Sequence, residues 1–320
     1  MKRCRLGSAP KMKRMKKYRL ILILVALANG FASFGQQDIQ FTQYFDNMLS
    51  VNPAYAGKNE MLSAVAIHRE QWAGMDGRPR STTLSLHSPL PYKSVGVGVS
   101  FVNDMVGPIR QTSIVADVSY SLRFKNSKGK LAFGLKGGLN FLNSRTDQLA
   151  TNQAQDPNLL TNVRNQINPN VGAGIYYHLP QFFVGLSTPR FLEQSYGNSE
   201  SAKERRHYFL SLGGVFNLTQ NEQWKLRPTT MLKMTNGAPL AIDVTAATIY
   251  KNVLWLGLNY RVQDSFGAFV QYQLSPQFKA GIAYDQTVTE LSAFNMGTYE
   301  VLLSYDFNYR DKGVISPRYF

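Results

Sequence analysis

Cysteine is almost absent from the 320-residue chain, which contains only Cys4. This residue precedes the apolar part of the N-terminal leader, so it cannot be a lipid-anchoring cysteine at a cleavage site. Once the leader is removed, the chain has no thiol. This absence excludes a disulfide framework and any cysteine-based metal or redox site.

Long apolar runs are also missing, because no stretch after Phe34 approaches the roughly 20 residues that a membrane-spanning helix needs. The pattern therefore excludes a membrane protein built from helices. No Pro/Ser-rich linker or change of composition divides the chain, which favours a single domain.

The first 35 residues have the features of a secretory signal peptide. Residues 2–19 contain nine Lys or Arg and no acidic residue, the apolar stretch 20–28 follows, and Ser33-Phe34-Gly35 is a small-x-small cleavage site. An uncleaved anchor is the alternative, but the apolar run is about half the necessary length. We expect a signal peptide over 1–35 and one mature domain over 36–320.

Most of the positive charge belongs to this leader. Its removal lowers the formal net charge from +15 to +6, because it holds nine of the 35 basic residues and none of the 20 acidic ones. The mature chain therefore gives no indication of a nucleic-acid partner.

The dominant pattern after Leu62 has a period of two residues, which places alternate side chains on opposite faces of a strand. In one segment Ile114, Val118 and Tyr120 share a face, while Asp117 and Ser119 share the other. Similar alternation recurs over 95–101, 131–141, 265–274 and 298–309. A soluble β-sandwich also alternates. Many of these strands, however, run to roughly 10–12 residues, against about 5–6 in globular proteins.

The polar faces carry Gly, Ser, Asn and isolated charges, which is typical of a barrel lumen. Aromatic residues fall near strand ends, where interfacial girdles lie: Tyr92, Trp224, Tyr250 and Tyr284. With the export signal, these features favour an all-β fold, a transmembrane antiparallel β-barrel of the outer membrane, embedded in its lipid. We expect barrel strands over 58–310, an N-terminal segment over 36–57 and a tail over 311–320.

The connections alternate between short and long, and the pattern predicts about 14 strands with both termini in the periplasm. The short ones are 89–93, 126–129, 180–181, 219–222, 251–252 and 275–276. The predicted long ones are 103–110, 143–168, 188–206 and 286–296. The connections at 235–238 and around Gln263 are short and fit this alternation less well.

A short helix is predicted before the barrel, because apolar residues recur there at three- and four-residue spacing. These residues are Phe41, Tyr44, Phe45, Met48 and Leu49, and Asn52-Pro53 ends the pattern. The helix could pack inside the barrel or below it, and a loosely ordered periplasmic lead-in is the alternative.

Isolated charges on the predicted strands are expected to point inward, because an Arg or Lys that faces lipid costs roughly 2–4 kcal/mol at the midplane. We expect them to pair across the lumen as a stiffening network, with an ion-selective pathway as the alternative. They are Arg69, Arg80, Asp117, Arg123, Lys136, Asp243, Arg261, Glu300 and Asp306.

The histidines His68, His87, His178 and His207 have no partner at metal-ligand spacing. We therefore predict no metal site, no cofactor and no catalytic residue. His68 and His87 fall on neighbouring predicted strands beside Ser85 and Ser88, and a Ser/His pair there leaves a barrel-embedded hydrolase as a weak alternative.

Two motifs and the C-terminus resemble the PorP/SprF family of type IX secretion system outer-membrane proteins from the Bacteroidetes. The motifs are residues 40–45 running into Val51-Asn52-Pro53-Ala54-Tyr55-Ala56-Gly57, and Gln71-Trp72-Ala73-Gly74 followed by Asp76-Gly77-Arg78-Pro79. The chain closes on Ser316-Pro317-Arg318-Tyr319-Phe320. The resemblance spans essentially the whole mature chain. The stretch 46–50 is more polar than the family pattern, a departure that concerns the packing of the predicted helix.

The resemblance implies a non-catalytic role in exporting or retaining surface proteins, including gliding adhesins. The implied partners are the type IX translocon, periplasmic components of the machine, and the secreted surface protein or adhesin. The densest matches are the candidate partner-binding residues: Asn52, Pro53, Tyr55, Gly57, Trp72, Gly74, Asp76 and Gly77. A general diffusion porin is the alternative, because a barrel of 14 strands is wide enough to conduct if nothing fills it.

Overall fold

The structure is a computed structural model that describes residues 39–59, 61–91, 94–125, 128–145, 163–195 and 203–307. The predicted signal peptide and C-terminal tail lie outside these residues, as does Tyr92. The described chain forms an antiparallel barrel with an N-terminal segment inside it.

Seventeen strands follow one another along the described chain. They are β1 Leu62–Glu70, β2 Arg80–Pro89, β3 Val95–Val106, β4 Ile109–Arg123, β5 Lys130–Ser144, β6 Val163–His178, β7 Phe182–Thr188, β8 Gln194–Ser195, β9 Lys203–Glu204, β10 His207–Gly214, β11 Phe216–Asn217, β12 Trp224–Thr235, β13 Ala241–Tyr250, β14 Leu254–Arg261, β15 Ser265–Gln273, β16 Phe278–Thr287 and β17 Thr298–Phe307.

The sheet closes because β1 pairs with β17 and β10 pairs with both β7 and β12. β11 continues β10 after Val215 and pairs with the same neighbour, β12. β8 and β9 form a separate small hairpin. The wall therefore has 14 antiparallel strands, which confirms the predicted fold class and strand number.

Side chains along each strand alternate between the lumen and the outer surface, as the period-two pattern predicts. On β4, Asp117 and Ser119 are buried, whereas Ile114, Val118 and Tyr120 are exposed. The exposed apolar residues form the outward belt that a membrane barrel presents to lipid. No helix among the described residues is long and apolar enough to cross a membrane.

The two ends of the barrel differ in their connections. The short-turn end carries Leu62 and Phe307, and the long-loop end carries Glu70 and Thr298. At the long-loop end, residues 145–162 and 189–206 separate consecutive wall strands, and a 3-10 helix over Glu290–Ala293 lies between β16 and β17. Aromatic pairs mark both ends, with ring centroids 4.6 Å apart for Trp224 and Tyr250 and 5.2 Å apart for Tyr284 and Tyr299.

One predicted loop is wrong. The polar stretch 103–110 is not a long connection, because β3 continues to Val106 and β4 begins at Ile109. Only Gly107 and Pro108 connect the two strands, and the φ of +55° at Gly107 suits a tight turn. Polar residues such as Asn103 and Thr112 pair in register instead, because strands that extend beyond the bilayer need no apolar face.

The N-terminal segment lies in the lumen. It consists of a 3-10 helix over Tyr44–Asn47, the short α-helix α1 over Met48–Val51 and a second 3-10 helix over Pro53–Tyr55. We call residues 39–57 the plug. The predicted helix is thus present in a more broken form, and α1 ends immediately before Asn52-Pro53 as expected. The helix was expected either inside the barrel or below it, and it lies inside.

Candidate functional site

Glycines on the lumen side of the wall make room for the plug. A β-carbon at Gly96 on β3 would overlap the carbonyl of Ala56, and one at Gly134 on β5 would overlap the amide nitrogen of Ala54. Gly174 on β6 faces the Asn52 side chain equally closely. Only glycine allows the two backbones to approach this far.

Asn52 connects the plug to this glycine-lined wall. Its Oδ1 accepts a hydrogen bond from the Ala54 N–H at 3.0 Å and so caps the second 3-10 helix. Its Nδ2 donates to the Ile175 carbonyl of β6 at 3.1 Å. Ser119 on β4 donates to the Ala56 carbonyl at 2.6 Å. The Asn-Pro-Ala-Tyr-Ala-Gly motif is therefore fixed to the wall by close backbone packing and by hydrogen bonds.

Apolar contacts support the same side of the plug. The rings of Phe45 and Phe183 lie 5.8 Å apart, and those of Tyr55 and Tyr176 lie 5.6 Å apart, both in edge-to-face geometry. Met48 belongs to the same buried cluster. Full burial of a Met or Phe side chain contributes about 1.5–3 kcal/mol relative to exposure, so withdrawal of the plug would be costly.

A charged cluster holds the first residues of the plug at the opposite wall. Glu300 on β17 accepts hydrogen bonds from the backbone N–H groups of Thr42, at 2.8 Å, and Gln43, at 2.9 Å. Arg69 on β1 lies 3.1 Å from Glu300 and 2.9 Å from Asp285 on β16. The Thr42 hydroxyl donates to Asp285 at 2.5 Å and accepts from Arg69 at 2.9 Å.

Asp46 provides a second charged contact between the plug and the wall. Its carboxylate lies 2.5 Å from Lys279 of β16 and accepts a hydrogen bond from Gln271 of β15 at 2.8 Å. Burial opposes its ionisation, but the charges of Lys279 and Arg227 outweigh that effect and hold the pKa of the Asp46 carboxyl below its usual value. Asp46 belongs to the stretch 46–50, which is more polar than the resemblance led us to expect. Its contacts with Lys279 and Gln271 hold this part of the plug in the lumen.

Two further buried clusters lie in the wall itself. Lys136 of β5 lies 3.0 Å from Asp117 of β4 and donates to the Leu49 carbonyl of the plug at 3.2 Å. Asp243 of β13 lies 2.7 Å from Lys233 and 3.0 Å from Arg261. Each buried charge has an opposite charge beside it, as burial in a low-dielectric interior requires.

The structure places six of the nine predicted network residues inside the lumen. They are Arg69, Asp117, Lys136, Asp243, Arg261 and Glu300. Their ion pairs join adjacent strands or, for Arg69 and Asp285, strands separated only by β17, and do not span an open lumen. Arg80 and Arg123 are exposed at strand ends, and Arg80 lies 3.2 Å from Glu70. Asp306 is half-buried close to the short-turn end.

The predicted partner-binding residues fall into two groups at different places. Asn52, Pro53 and Tyr55 are buried in the lumen, and Gly57 follows them. Trp72, Gly74, Asp76 and Gly77 lie in the connection between β1 and β2, at the long-loop end. The two motifs therefore do not form one site.

The β1–β2 connection is held firmly although it lies outside the strands. The Ala73 N–H donates to the Gly297 carbonyl at 2.8 Å, and the Met296 N–H donates to the Ala73 carbonyl at 2.8 Å. Trp72, Gly74 and Gly77 have φ values of +55°, +92° and +71°. Glycine adopts these conformations without strain, which explains two of the motif's glycines. Gly74, Asp76 and Gly77 remain exposed.

Sequence reasoning missed several members of the charged clusters. Lys233, Asp285 and Lys279 lie on the lumen face of their strands, so the period-two pattern could have identified them. No sequence pattern predicts the contact between Asp46 and Lys279, because it depends on the position of the plug in the barrel.

The histidines remain apart. Among the described residues no group of three or more His, Cys, Asp or Glu could hold a metal ion. The His87 ring packs against Tyr55 with centroids 5.4 Å apart, while Ser85 exchanges a hydrogen bond with Ser100 at 3.0 Å. Ser85 and His87, which the weak hydrolase alternative would pair, thus contact other residues.

Comparison with known families gives a match over most of the chain. The sequence model of the family described as type IX secretion system membrane protein PorP/SprF matches residues 33–305. No curated protein matches.

Several solved structures are similar at low identity. The CymD monoaromatic hydrocarbon channel has 13% identity and a TM-score of 0.48, over 86% of this chain and 96% of that one. The outer membrane protein Omp33 of Acinetobacter baumannii has 10% identity and a TM-score of 0.46, over 78% of this chain and 98% of that one. A Pseudomonas aeruginosa FadL homologue has 11% identity and a TM-score of 0.44, over 80% and 93%.

Proposed function

Because the chain belongs to the PorP/SprF family of type IX secretion system membrane proteins, we propose that it is a non-catalytic outer-membrane component of that system. Its role is to support secretion of exported proteins, such as gliding adhesins, or their attachment to the cell surface. Its partners are the translocon with its periplasmic components and the exported protein itself.

The observation that carries this proposal is the filled lumen. Wall glycines, Glu300 and Asp46 hold the plug along its length, so the barrel is built around an internal segment. A filled barrel suits a protein that binds partners at its ends, whereas diffusion of solutes needs an open path. This argues against the general diffusion porin.

The long-loop end is the surface that we assign to the exported partner. Outer-membrane barrels have short periplasmic turns and longer outer loops, so this end faces outward and the short-turn end faces the periplasm. The β1–β2 connection presents Asp76 on a backbone fixed by hydrogen bonds to residues 296 and 297. A rigid loop loses little conformational entropy on binding.

Partner contact through Asn52, Pro53 or Tyr55 would require the plug to leave the lumen, because these residues are buried there. We therefore keep the partner-binding role for the group at Trp72, Gly74, Asp76 and Gly77, and give the first group the role of holding the plug.

Deletion of the gene in its native host, followed by measurement of surface adhesin and secreted protein, tests the proposal. We expect surface display to fall, and complementation to restore it. Asp76→Arg should complement poorly, whereas Glu290→Arg, the same charge change at an exposed position of another loop at this end, should complement fully. Unchanged display and secretion after deletion would refute the proposal.

A further inference from the structure

A half-enclosed cavity of about 80 Å³ lies between the plug and the wall. Strands β2, β3, β4, β10 and β12 line it with their halves nearest the long-loop end, and β5 and β6 line it at their centres. The plug lines its other side. The charged clusters that hold the plug leave this space unfilled. The proposed secretion role does not use it.

The charge around the cavity has one sign. Among the described residues Lys136, Arg190 and Lys233 line it, and no Asp or Glu does. Their carboxylate partners Asp117, Glu204 and Asp243 do not reach the lining. An ammonium has three donors, and Lys233 gives one hydrogen bond, to Asp243. The cavity thus offers ammonium donors to an anion.

Asn170 supplies an independent sign of a ligand. Its side chain lines the cavity on β6 and is 6% exposed, and its Oδ1 is buried with no hydrogen-bond partner among the described residues. A buried acceptor without a donor is destabilising, because it has lost its hydrogen bonds to water. An O–H or N–H group in the cavity would satisfy it.

The remaining lining is largely apolar and includes Phe41, Phe209 and Met231. A closed cavity of about 150 Å³ holds benzene, which has six non-hydrogen atoms. This half-enclosed space of about 80 Å³ therefore encloses roughly half of a ligand of that size and leaves the rest at its open side. We infer that the cavity binds a small hydroxycarboxylic acid, with its carboxylate at Lys233, its hydroxyl donating to Asn170 Oδ1, and its alkyl part against Phe209 and Met231.

Calorimetric titration of the purified full-length protein in detergent tests this inference. The probes are L-lactate, propionate, which lacks the hydroxyl, and lactamide, which lacks the charge. We expect lactate to bind more tightly than propionate and lactamide to bind weakest. Lys233→Met should weaken lactate about tenfold or more, as expected for loss of a hydrogen bond to a charged group, and Asp243 keeps Arg261 as its partner in that variant.

Asn170→Ala provides the second measurement. It should reduce lactate affinity to the level of propionate and leave propionate affinity unchanged. The matched controls are Lys225→Met, a buried lysine nearer the short-turn end of β12, and Asn140→Ala, a buried β5 asparagine whose Oδ1 also lacks a partner; neither lines the cavity. Both should bind lactate like the wild type.

Three results would overturn the inference. They are absence of lactate binding to the wild type, equal weakening by Lys225→Met and Lys233→Met, and an equal effect of Asn170→Ala on lactate and propionate. If Lys233→Met does not fold, the comparison of the two acids in Asn170→Ala still decides.

Discussion

Glu300 accepts a hydrogen bond from the backbone N–H of Thr42 at 2.8 Å, which joins the last strand of the barrel to the start of the plug. The two residues are 258 positions apart in the sequence. The same carboxylate neutralises Arg69 at 3.1 Å. A single side chain therefore stabilises the plug and compensates a buried cation of the wall.

Replacement of Glu300 by glutamine should loosen the plug. The neutral amide leaves Arg69 with Asp285 alone and offers one acceptor where the two N–H groups of Thr42 and Gln43 need two. We expect a loss of about 1–3 kcal/mol, the cost of an unsatisfied buried polar group. In a Cys4→Ser background, maleimide labelling of Ser50→Cys should become faster, since it reports exposure of the plug. Glu290→Gln, at an exposed position, is the control, and equal labelling rates in both variants would contradict the role of Glu300.

A single methyl group on the wall should distinguish the two faces of β5. Gly134→Ala forces Ala54 away from the wall, whereas Gly137→Ala meets nothing within 4 Å. Overpacking a filled interior costs typically about 1–3 kcal/mol. The melting temperature of purified Gly134→Ala should therefore fall, while that of Gly137→Ala should remain within error of the wild type. Equal melting temperatures for the two variants would show that the plug does not pack as described.

Buried and exposed ion pairs should respond very differently to the loss of a carboxylate. Asp243→Asn leaves both Lys233 and Arg261 without their shared counterion, and breaking such a buried pair costs about 3–5 kcal/mol. Glu70→Gln removes an exposed partner of Arg78 and Arg80, where about 0–1 kcal/mol is typical. Denaturant unfolding of the two variants measures the difference. A larger effect of Glu70→Gln would contradict the burial of the Asp243 cluster.

Acid should weaken the attachment of the plug through Asp46. Because its pKa in the folded protein lies below the usual 3.8, its contribution to stability is complete above that pH and is lost as the pH falls through the lower folded value. The difference in melting temperature between wild type and Asp46→Asn should be constant near neutral pH and shrink below about pH 3.8. A difference that grew on acidification would contradict this sign.

The wall of the barrel was predictable from local sequence, and the contents of its lumen were only partly so. Alternation over Ile114–Tyr120 fixes which side chains face outward, because strand geometry alone imposes a period of two. The spacing of Phe41 to Leu49 predicts a helix but does not identify the surface that it covers. Gly96 and Gly174 could be assigned to the lumen, yet their packing against Ala56 and Asn52 depends on contacts distant in sequence.

The positions of strand ends, and the direction of charged side chains there, were predicted less well than the wall. Arg123 follows the inward alternation of β4, whereas Arg80 has the outward parity of Leu84 on β2. Both lie where the wall meets solvent, so charge there costs little. The polar residues of 103–110 suggested a loop, although backbone pairing between β3 and β4 continues almost to the turn. Polarity indicates exposure to water, and a strand that extends beyond the membrane is exposed in the same way.

Removal of the plug should turn the barrel into a channel. A variant that lacks residues 39–56 keeps every wall strand, and a barrel of 14 strands is wide enough to conduct when empty. In planar bilayers we expect the wild type to be silent and the deletion variant to show a steady conductance. A variant lacking residues 290–295, a loop segment between β16 and β17, should remain silent.

The current through the emptied barrel should favour anions. Buried on the described wall strands are six basic residues, Arg69, Lys136, Lys225, Arg227, Lys233 and Arg261, and four acidic ones, Asp117, Asp243, Asp285 and Glu300. Deletion of the plug also removes Asp46, the carboxylate that neutralises Lys279. The reversal potential in a salt gradient measures this preference. A wild-type conductance equal to that of the deletion variant would show instead that solutes pass the plug, and would restore the diffusion porin as the function.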